Sequence, residues 1–582
     1  MSKFRKVIFA ILLIFVSRSA SWALEPETAL SARPAMSFYL TARFDDLGKM
    51  FRNVFSPANI EMLASLLPQE DTQEFRLMAN MASQIPAKSV ALLVGMIEDG
   101  TFFQQIAVSM PDSVRPKLDR VAKGKASPED LVTLVLGEGG LLLAGGFQPT
   151  LQQGAEGPYY LLDGTVALTA RDGLLVVASS PAELEASLEA MKKAENRLVV
   201  RRRFKSSDYS FLHMDMPTLF KLVQKESPEE AKDIDVNAML SLFKAPLEYE
   251  VAFNSKPGSV LISSGINISE AIVSHFLKNI TPVKMFLAGG GKLLLGGAGG
   301  IVFRIADLKI YPKFAQTWNG ISKSLEARGI TEKDVEDFLT GSVTLAYGNE
   351  AMILGNRVPG GYIAFTGQNG AASRIWNKIL EDESFSQAIP MSPSKVEGWE
   401  SVLTVDPTLF PASLVAGVSK DTFFLGIADP KELGKTPELS PESAKLLKED
   451  CIGMGFFDVG STWAYVKQNA AAIVALAPNV TPDDLEIVNA IVDAELPMSF
   501  IKIWAPTLEE FFLEIFTADV PSEKRLLPKI VKTLENLTAK RSQAGSDNAE
   551  ETDGTEETYE EYSDWPATED LYEPYYEEEP KE

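Results

Sequence analysis

Few residues in this chain of 582 have the types and the spacing that catalysis requires. The only two histidines, His213 and His275, have no second histidine or cysteine at a spacing typical of zinc ligands. His213 alternates with apolar residues, and His275 lies on a predicted helix. We interpret each as an ordinary core-edge or surface histidine. The sequence therefore predicts neither a metal site nor a cofactor site.

Serine chemistry has equally little support. Ser392 and Lys395 form a Ser-x-x-Lys pair, but the Lys-Thr-Gly element that accompanies it in β-lactamases does not occur in the chain. The Ser-Asp-Asn triplet at 546–548 lies in the acidic C-terminal segment, and the LISSG stretch has Leu261 where a nucleophile elbow needs glycine. We interpret these matches as chance. No catalytic residue is predicted, and the chain is not expected to be an enzyme.

Carboxylates are abundant, but spacing along the sequence does not fix the separation that glycoside hydrolysis needs. Asp215 and Asp458 occupy equivalent points of two similar stretches, each just before a predicted helix. Because aspartate is favoured as an N-cap, we predict that both residues cap helices. A hydrolase with dispersed carboxylates is the least favoured of the alternatives.

A glycine-rich stretch, KMFLAGGGKLLLGGAGGIVFRI, occupies residues 284–305. A phosphate-binding loop would need glycine in place of Phe286 and serine or threonine in place of Leu293. A membrane helix is disfavoured, because Lys292 is charged and each glycine weakens a helix by about 1 kcal/mol relative to alanine. The stretch instead predicts three short strands, MFLA, KLLLG and GIVFRI, where the sheet of a second domain begins.

The N-terminus has the pattern of a secretory signal. Basic residues precede ten apolar residues at 7–16, and the small residues Ser21 and Ala23 predict cleavage after Ala23. Ten apolar residues are too few to span a bilayer, so we expect no transmembrane segment in the mature chain. The sole cysteine, Cys451, is far from the cleavage site and cannot form an intrachain disulfide. We expect an exported protein, periplasmic or secreted, with Cys451 buried.

The C-terminal residues 541–582 hold sixteen acidic and two basic side chains, a net charge of −14 out of −25 for the whole chain. Such a segment cannot bury enough apolar surface to offset its ordering entropy, so a disordered acidic tail is predicted. We expect this tail to contact cationic surfaces or divalent ions. So acidic a chain also excludes nucleic acid as a partner, since phosphate binding draws on clustered cationic surface.

One basic cluster stands out in the acidic chain. It consists of Arg201, Arg202, Arg203 and Lys205. Two interpretations stay open: a solvated loop, or a docking site for the acidic tail or an anionic partner through charge-assisted pairing.

Four pairs of similar stretches occur in the same order at offsets of about 250 residues, which indicates an internal duplication. The pairs are 89–96 with 342–349, 171–188 with 419–435, 211–223 with 454–466, and 246–253 with 496–504. In the second pair each stretch predicts a turn, a strand and a helix start. Ser180 is the predicted N-cap with Glu183 completing a capping box, and Asp429 and Glu432 repeat this arrangement.

Short apolar runs between glycine turns predict antiparallel strands, and runs with helical spacing predict helices between them. The strands are expected at 159–162, 166–170 and 174–178, and the helices at 182–193, 269–277, 310–325 and 522–537. The fold class is therefore α+β. We expect a signal peptide at 1–23, two tandem similar domains at 24–280 and 281–540, each a mainly antiparallel sheet packed with helices, and the disordered tail at 541–582.

The strand followed by SSPAEL, and the FLHMDM strand that leads into a helix, resemble exported bacterial proteins of uncharacterised families built from a duplicated α+β domain. This resemblance implies the fold and transfers no active-site residue. We expect a non-enzymatic binding or scaffold protein of the bacterial envelope, whose partner is an unknown protein. The alternative is a carrier or sensor of a lipid or other apolar ligand, bound in a cavity between sheet and helices.

Overall fold

A computed structural model describes most of the chain between residues 25 and 547. The described residues are 25–32, 36–45, 76, 89–97, 101–136, 148–199, 203–204, 210–216, 248–256, 258–267, 281–302, 304–309, 312–353, 356–382, 391–405, 413–475, 481–521 and 524–547. The predicted signal peptide, His275, the helix expected at 269–277 and the tail beyond residue 547 lie outside them.

In the described part of the chain, twenty strands form one sheet. The first ten are β1 (Met36–Asp45), β2 (Ser89–Ile97), β3 (Phe102–Ser109), β4 (Thr150–Gly154), β5 (Gly157–Leu162), β6 (Val166–Arg171), β7 (Leu174–Ala178), β8 (Ser210–Asp215), β9 (Glu248–Lys256) and β10 (Ser259–Ile266). The second ten are β11 (Leu295–Ile301), β12 (Gly341–Ile353), β13 (Asn356–Thr366), β14 (Met391–Ser394), β15 (Ser401–Val405), β16 (Leu414–Ser419), β17 (Thr422–Ile427), β18 (Gly453–Phe457), β19 (Met498–Ala505) and β20 (Glu510–Thr517).

All neighbouring strands of this sheet are antiparallel. Their order from one edge to the other is β4-β5-β6-β7-β3-β2-β1-β8-β9-β10-β20-β19-β18-β11-β12-β13-β17-β16-β15-β14. Counted from the opposite edge, the second ten strands therefore follow the same order as the first ten, with β14 in the place of β4 and β20 in the place of β10. β10 and β20 hold corresponding places and join the two sets in the middle of the sheet.

Helices connect the strands and pack on the sheet. They are α1 (Arg115–Ala122), α2 (Pro128–Leu136), α3 (Pro181–Lys192), α4 (Ile305–Leu308), α5 (Pro312–Ala327), α6 (Glu332–Leu339), α7 (Ala371–Glu381), α8 (Pro441–Leu446), α9 (Val459–Ala475), α10 (Pro482–Asp493) and α11 (Leu526–Asp547). Mixed helices and antiparallel strands confirm the α+β class. None of the described helices is both long and apolar enough to cross a membrane.

The junction of β10 and β20 is self-complementary. Ser259 pairs with Phe516, Ile262 with Leu513, and Gly265 with Glu510. Ile262 and Leu513 are each the fourth residue of their strand, so the pairing register is symmetric about this pair.

Both faces of the outer first-half sheet are covered. On one face, α1 and α2 pack Leu118 and Leu131 against the side chains of β2 and β3. On the other face, α3 packs Leu184 and Leu188 against β7. Burial of apolar surface on both sides explains why these strands are apolar without alternation.

Several predicted elements are confirmed. The strand at 174–178 has the predicted bounds, and the helix at 181–192 is capped by Ser180, whose side chain accepts from the Glu183 amide at 3.3 Å. The Glu183 carboxylate accepts from the Gln105 amide group at 2.9 Å, which ties the helix start to β3. α5 begins at Pro312, two residues after the predicted start.

The prediction of a helix after Asp429 is wrong. Residues 430–434 form turns instead, in which the Asp429 carboxylate accepts from the Lys431 amide at 3.0 Å. Gly434 closes this short stretch, and Leu433 is buried in the second-half core. A glycine so soon after the cap leaves too few residues to form a stable helix.

The prediction of three strands at 284–305 is also wrong. Residues 281–288 form no helix or strand, and a single strand, β11, covers 295–301. Gly289 and Gly291 have φ of 87° and 81°, conformations that break a strand and suit glycine. β11 lies between β12 and β18 in the interior of the sheet, so it is not an edge at which a separate sheet begins.

The first residues of the predicted tail belong to a helix. Residues 541–547 belong to α11, which packs on α10 and pairs Lys540 with Glu486 at 2.5 Å. Disorder of the residues beyond 547 stays a prediction.

Candidate functional site

Nine neighbouring strands in the middle of the sheet, from β17 to β9, have one buried face and one open face. Residues directly opposite each other in antiparallel strands point to the same side of the sheet, so the pairing register identifies each face. On the core face, the side chains of Ala346, Tyr362, Phe424 and Phe456 are all buried. The opposite side of the same strands is called the open face below.

A single row of paired residues crosses the open face. We call it the apolar row, and its members from β17 to β9 are Leu425, Ile363, Leu345, Gly297, Gly455, Ile503, Leu513, Ile262 and Phe253. None of them is buried. At about 4.8 Å per strand, the row extends for roughly 38 Å.

The rows on either side of the apolar row are also without charge. One contains Tyr347, Leu295, Phe457, Ile501, Ile515 and Val260, and the other contains Phe365, Val343, Gly299, Gly453, Ala505, Phe511 and Ser264. Six large side chains of this face, Phe253, Leu295, Leu345, Tyr347, Leu425 and Phe511, have between 37% and 53% of their surface exposed. A continuous exposed apolar surface of this kind is typical of a binding surface.

Four glycines form a block at the centre of the open face. Gly297 pairs with Gly455, and Gly299 pairs with Gly453 on the neighbouring strand. A Cβ atom built on Gly299 would meet nothing within 4 Å. Cβ atoms on the other three would meet only atoms of the adjoining strands, at 3.4 Å or more. The block is therefore a floor with open space above it.

Folding does not require glycine at these four positions. None of the four has a positive φ, and no overlying group crowds them. Gly296 differs, because a Cβ there would lie 2.8 Å from the Phe456 ring on the core face. Glycine inside a strand costs about 0.5–1 kcal/mol relative to alanine. The four glycines on the open face thus reduce the stability of the sheet, and packing against neighbouring groups does not explain why glycine occupies these positions.

Helices enclose the open face at its second-half end. Phe338 of α6 lies 5.8 Å from the Phe365 ring, and Trp376 of α7 lies 5.6 Å from the Phe423 ring. Trp376 also packs with Ala416, the β16 neighbour of Leu425. Its indole nitrogen is buried and has no hydrogen-bond partner in the described part of the chain. A buried donor without a partner is unusual enough to need an explanation.

The first-half end of this side of the sheet is enclosed by α1 and α2. Their core includes Val90 and Leu92 of β2 and extends to Leu212 of β8. Leu212 pairs with Val251, which stands two residues from Phe253 on the same face of β9. Helices therefore border this side of the sheet at both ends, and between them α9 packs on β19, with Tyr465 close to Tyr347.

The basic cluster predicted from sequence is only partly described. Arg203 donates through Nη1 to the Glu509 carbonyl oxygen at 2.8 Å and through Nη2 to Asn267 Oδ1 at 2.7 Å. Its main-chain amide donates to Glu250 at 2.7 Å. Arg201, Arg202 and Lys205 lie outside the described residues, so docking of an anion or of the tail on this cluster stays a prediction.

His213 is buried beside two glutamates. Its Nδ1 lies 3.9 Å from Glu250 Oε2, and its Nε2 lies 3.9 Å from Glu248 Oε1. It is therefore a core histidine. No group of three or more metal-ligating side chains occurs among the described residues.

The capping prediction is confirmed for Asp458. Its Oδ1 accepts from the Ser461 amide at 2.8 Å at the start of α9, and Lys292 Nζ lies 3.4 Å from its Oδ2. Lys292 also donates to the Ser461 hydroxyl. Asp215 ends β8, and the residues it would cap lie outside the described part of the chain.

Cys451 is buried in the second-half core, as predicted, and burial raises the pKa of its thiol. Burial also raises the pKa of Tyr362 to about 12. The Tyr362 hydroxyl donates to the Phe286 carbonyl oxygen at 2.8 Å and accepts from the Ala288 amide at 3.2 Å. It thereby ties residues 286–288 to the core face.

The carboxyl groups with shifted pKa values are all stabilised in the charged form. Hydrogen bonds from Arg120 lower the pKa of Asp130, and those from Lys309 and Trp318 lower the pKa of Glu332. A general acid would need the opposite shift. One described pocket of about 240 Å³, lined by Ile330, Asp334 and Arg374, lies between α6 and α7, where Arg374 already pairs with Asp334 at 2.8 Å.

No protein-family model, no curated protein and no solved structure matches this chain.

Proposed function

We propose that this protein is a non-enzymatic binding protein of the bacterial envelope. In this proposal it is exported, consists of two duplicated α+β halves, and ends in an acidic interaction tail. The repeated strand order and the self-complementary junction of β10 with β20 support the duplication. The four pairs of similar stretches support it too, because each pair falls on strands with corresponding places in that order.

The open face of the nine central strands is the observation on which the binding proposal rests. An uncharged surface of this size is costly to leave in water, at about 25 cal/mol for each Å² of apolar area. The face cannot be explained as core, because Leu345, which adjoins the glycine block, retains 53% exposure. We assign it as the surface where a partner binds, with the sheet as scaffold.

Charge substitution at Leu345 tests this assignment. Leu345→Lys places a charge in the apolar row without burying it, and Leu151→Lys on the edge strand β4 is a matched control, since Leu151 is 52% exposed. The probe is the apolar dye bis-ANS added to the native protein. We expect dye binding to fall at least about threefold in Leu345→Lys and to stay unchanged in Leu151→Lys. Equal dye binding by both variants would refute the assignment.

A carrier of an apolar ligand is the second candidate, and the glycine block favours it over a protein scaffold. The open space above Gly297, Gly299, Gly453 and Gly455 creates a depression in the apolar surface. Apolar ligands occupy concave sites with few polar groups. Solvent extraction of the purified native protein, followed by mass spectrometry, tests this candidate. A co-purified lipid supports the carrier, whereas a bare protein leaves only the scaffold.

A further inference from the structure

We propose that the acidic tail of this chain binds the outer edge of β4 as an additional strand, with its carboxylates on Lys123 and Lys125. The bound segment is 567–573. This site differs from the basic cluster around Arg203 and is separate from the open face, so the inference goes beyond the proposed function and can fail without it.

β4 lies at one edge of the sheet and has no feature that prevents pairing with another strand. Among the described strands, only β5 pairs with it, and its first four residues are exposed. Its sequence, Thr-Leu-Gln-Gln-Gly, contains neither proline nor a charged residue. Exposed edge strands usually carry such residues or are covered, because their unpaired amides and carbonyls otherwise recruit another strand. A segment that covers β4 is therefore expected.

The opposite edge of the sheet has the protection that β4 lacks. β14 holds the corresponding place, but it has only four residues and contains Pro393, which has no amide hydrogen to donate. α7 follows β13 as α1 follows β3, and its cations Arg374 and Lys378 pair with Asp334 and Glu381. Since the corresponding ends of the two halves differ in this way, the open edge and the free lysines belong to the β4 end specifically.

Lys123 and Lys125 lie beside β4, at the end of α1. Gly124 between them touches the first-half edge, because a Cβ atom built on it would lie 3.1 Å from Leu151 Cδ1 and 3.0 Å from Pro158 Cβ. Both lysines are exposed, and neither forms an ion pair within the described part of the chain. Residues 115–125 hold five cations and one acid, in a chain whose net charge is −25. The surface beside β4 thus favours an anionic partner.

The acidic tail is long enough to reach this edge. It follows Asp547 at the end of α11, which packs on α10, and α10 packs on α9, which packs on β19. β19 and β4 are eleven strand spacings apart, about 53 Å at about 4.8 Å each. An extended chain spans about 3.3 Å per residue, so the chain from 547 to 567 covers up to about 66 Å. Residues from 567 onward can therefore lie beside β4.

The segment 567–573, Ala-Thr-Glu-Asp-Leu-Tyr-Glu, matches the edge in length and charge. Pro566 and Pro574 bound it, and its seven residues without proline are enough to pair with the five of β4. Its three carboxylates and no cation suit charge-assisted pairing with the two lysines. Leu571 supplies an apolar side chain for the half-exposed Leu151. In strand addition of this kind, main-chain hydrogen bonds give affinity and side chains give specificity.

Hydrogen exchange of the full mature chain, measured by mass spectrometry, tests the pairing. Lys123→Glu with Lys125→Glu replaces attraction by repulsion, so amides of 150–154 should exchange at least about threefold faster than in the wild type. The control is Lys445→Glu with Lys448→Glu, which reverses two exposed lysines at the end of α8 that also lack an ion pair in the described chain. It should leave exchange of β4 unchanged.

A second variant removes the charges from the tail and touches no described residue. Glu569→Gln, Asp570→Asn and Glu573→Gln together should speed exchange of 150–154 as the lysine variant does. Wild-type exchange of β4 in this variant would overturn the inference even if the lysine variant failed to fold.

Carbodiimide cross-linking, which joins lysine amines to carboxylates, identifies the occupant. We expect cross-links from Lys123 or Lys125 to residues 569–573 within one chain of the wild type. In a mixture of isotopically labelled and unlabelled chains, cross-links between the two kinds would assign the edge to the tail of a second copy and overturn the inference. Cross-links of the tail to other lysines alone would overturn it too. None of these outcomes affects dye binding by the open face, which tests the proposed function separately.

Discussion

Arg203 binds Glu509 across the boundary between the first and the second ten strands. Its Nη1 donates to the Glu509 carbonyl oxygen at 2.8 Å, and its Nη2 lies 3.3 Å from the Glu509 carboxylate. The same guanidinium binds Asn267, which directly follows β10. Together with the Glu250 carboxylate that holds its main chain, Arg203 fixes the ends of β9, β10 and β20 to one another.

Arg203→Ala is expected to weaken this junction. The substitution leaves a carbonyl and an amide without their charged donor, which costs about 1–3 kcal/mol in the free energy of unfolding. The control is Arg357→Ala, because the Arg357 side chain is 71% exposed and pairs with Glu350 at the surface, where a loss of about 0–1 kcal/mol is expected. Urea unfolding measures both. Equal losses in the two variants would show that the junction does not depend on Arg203.

Asp458→Ala is expected to destabilise the start of α9. Asp458 accepts the Ser461 amide and pairs with Lys292, so its removal costs about 1 kcal/mol or somewhat more. Asp458→Asn keeps the cap and loses the charge, and it should recover most of the stability. Thermal unfolding compares the two variants. A fully destabilised Asp458→Asn would assign the effect to the ion pair and not to the cap.

Tyr362→Phe is expected to change the alkaline stability of the second half. Burial favours the neutral phenol, so the pKa of Tyr362 rises from 10.0 to about 12 in the folded chain. Its contribution is complete below pH 10 and is lost as pH rises through 12. A pKa rise of two units corresponds to about 2–3 kcal/mol in the free energy of unfolding. Tyr362→Phe should not show this loss of stability between pH 10 and 12.

Urea unfolding at pH 8 and pH 11 measures this difference. At pH 8 the variant should already be less stable by about 1–3 kcal/mol, since the Phe286 carbonyl and the Ala288 amide lose their partner. Parallel losses of stability in both proteins between the two pH values would contradict the assignment to Tyr362.

Asp130→Asn is expected to flatten the acid dependence of the first half. Hydrogen bonds from Arg120 at 2.8 and 2.6 Å lower the pKa of Asp130 in the folded state. Its contribution is therefore present above the unfolded pKa, about 4, and is lost as pH falls below it. The variant should be less stable at neutral pH and should approach the wild type at pH 2. A constant difference across this range, measured by urea unfolding, would show that the charge of Asp130 has no part in it.

Local features of this fold were predictable from the sequence. The turn after Arg171 and the apolar run Leu174–Ala178 define β7, and Ser180 and Asp458 are caps because their side chains reach amides only a few residues away. These interactions involve neighbours along the chain. The same local pattern gave a wrong helix prediction after Asp429. The Asp429 side chain does accept an amide hydrogen bond, but Gly434 follows five residues later and the residues between them form turns.

The open face was beyond sequence reasoning for a physical reason. In β12 the apolar side chains of Leu345 and Tyr347 are exposed and Thr344 is buried, which is the reverse of what the alternation of apolar and polar residues predicts. Gly297 and Gly455 lie far apart in the chain and meet only through the pairing of β11 with β18. Arg203 and Glu509 are likewise 306 residues apart. Such long-range pairs follow from topology and leave no local signature.

Native mass spectrometry of the mature chain, purified from an exporting host, tests most directly the claim that the open face is a ligand-binding surface. The account predicts that the wild-type protein has a bound adduct that solvent extracts, and that Gly297→Leu and Leu345→Lys lose it while Leu151→Lys retains it. A bare wild-type mass would rule out the carrier and leave only the scaffold, and an adduct retained by all three variants would contradict the assignment of the open face as the binding surface.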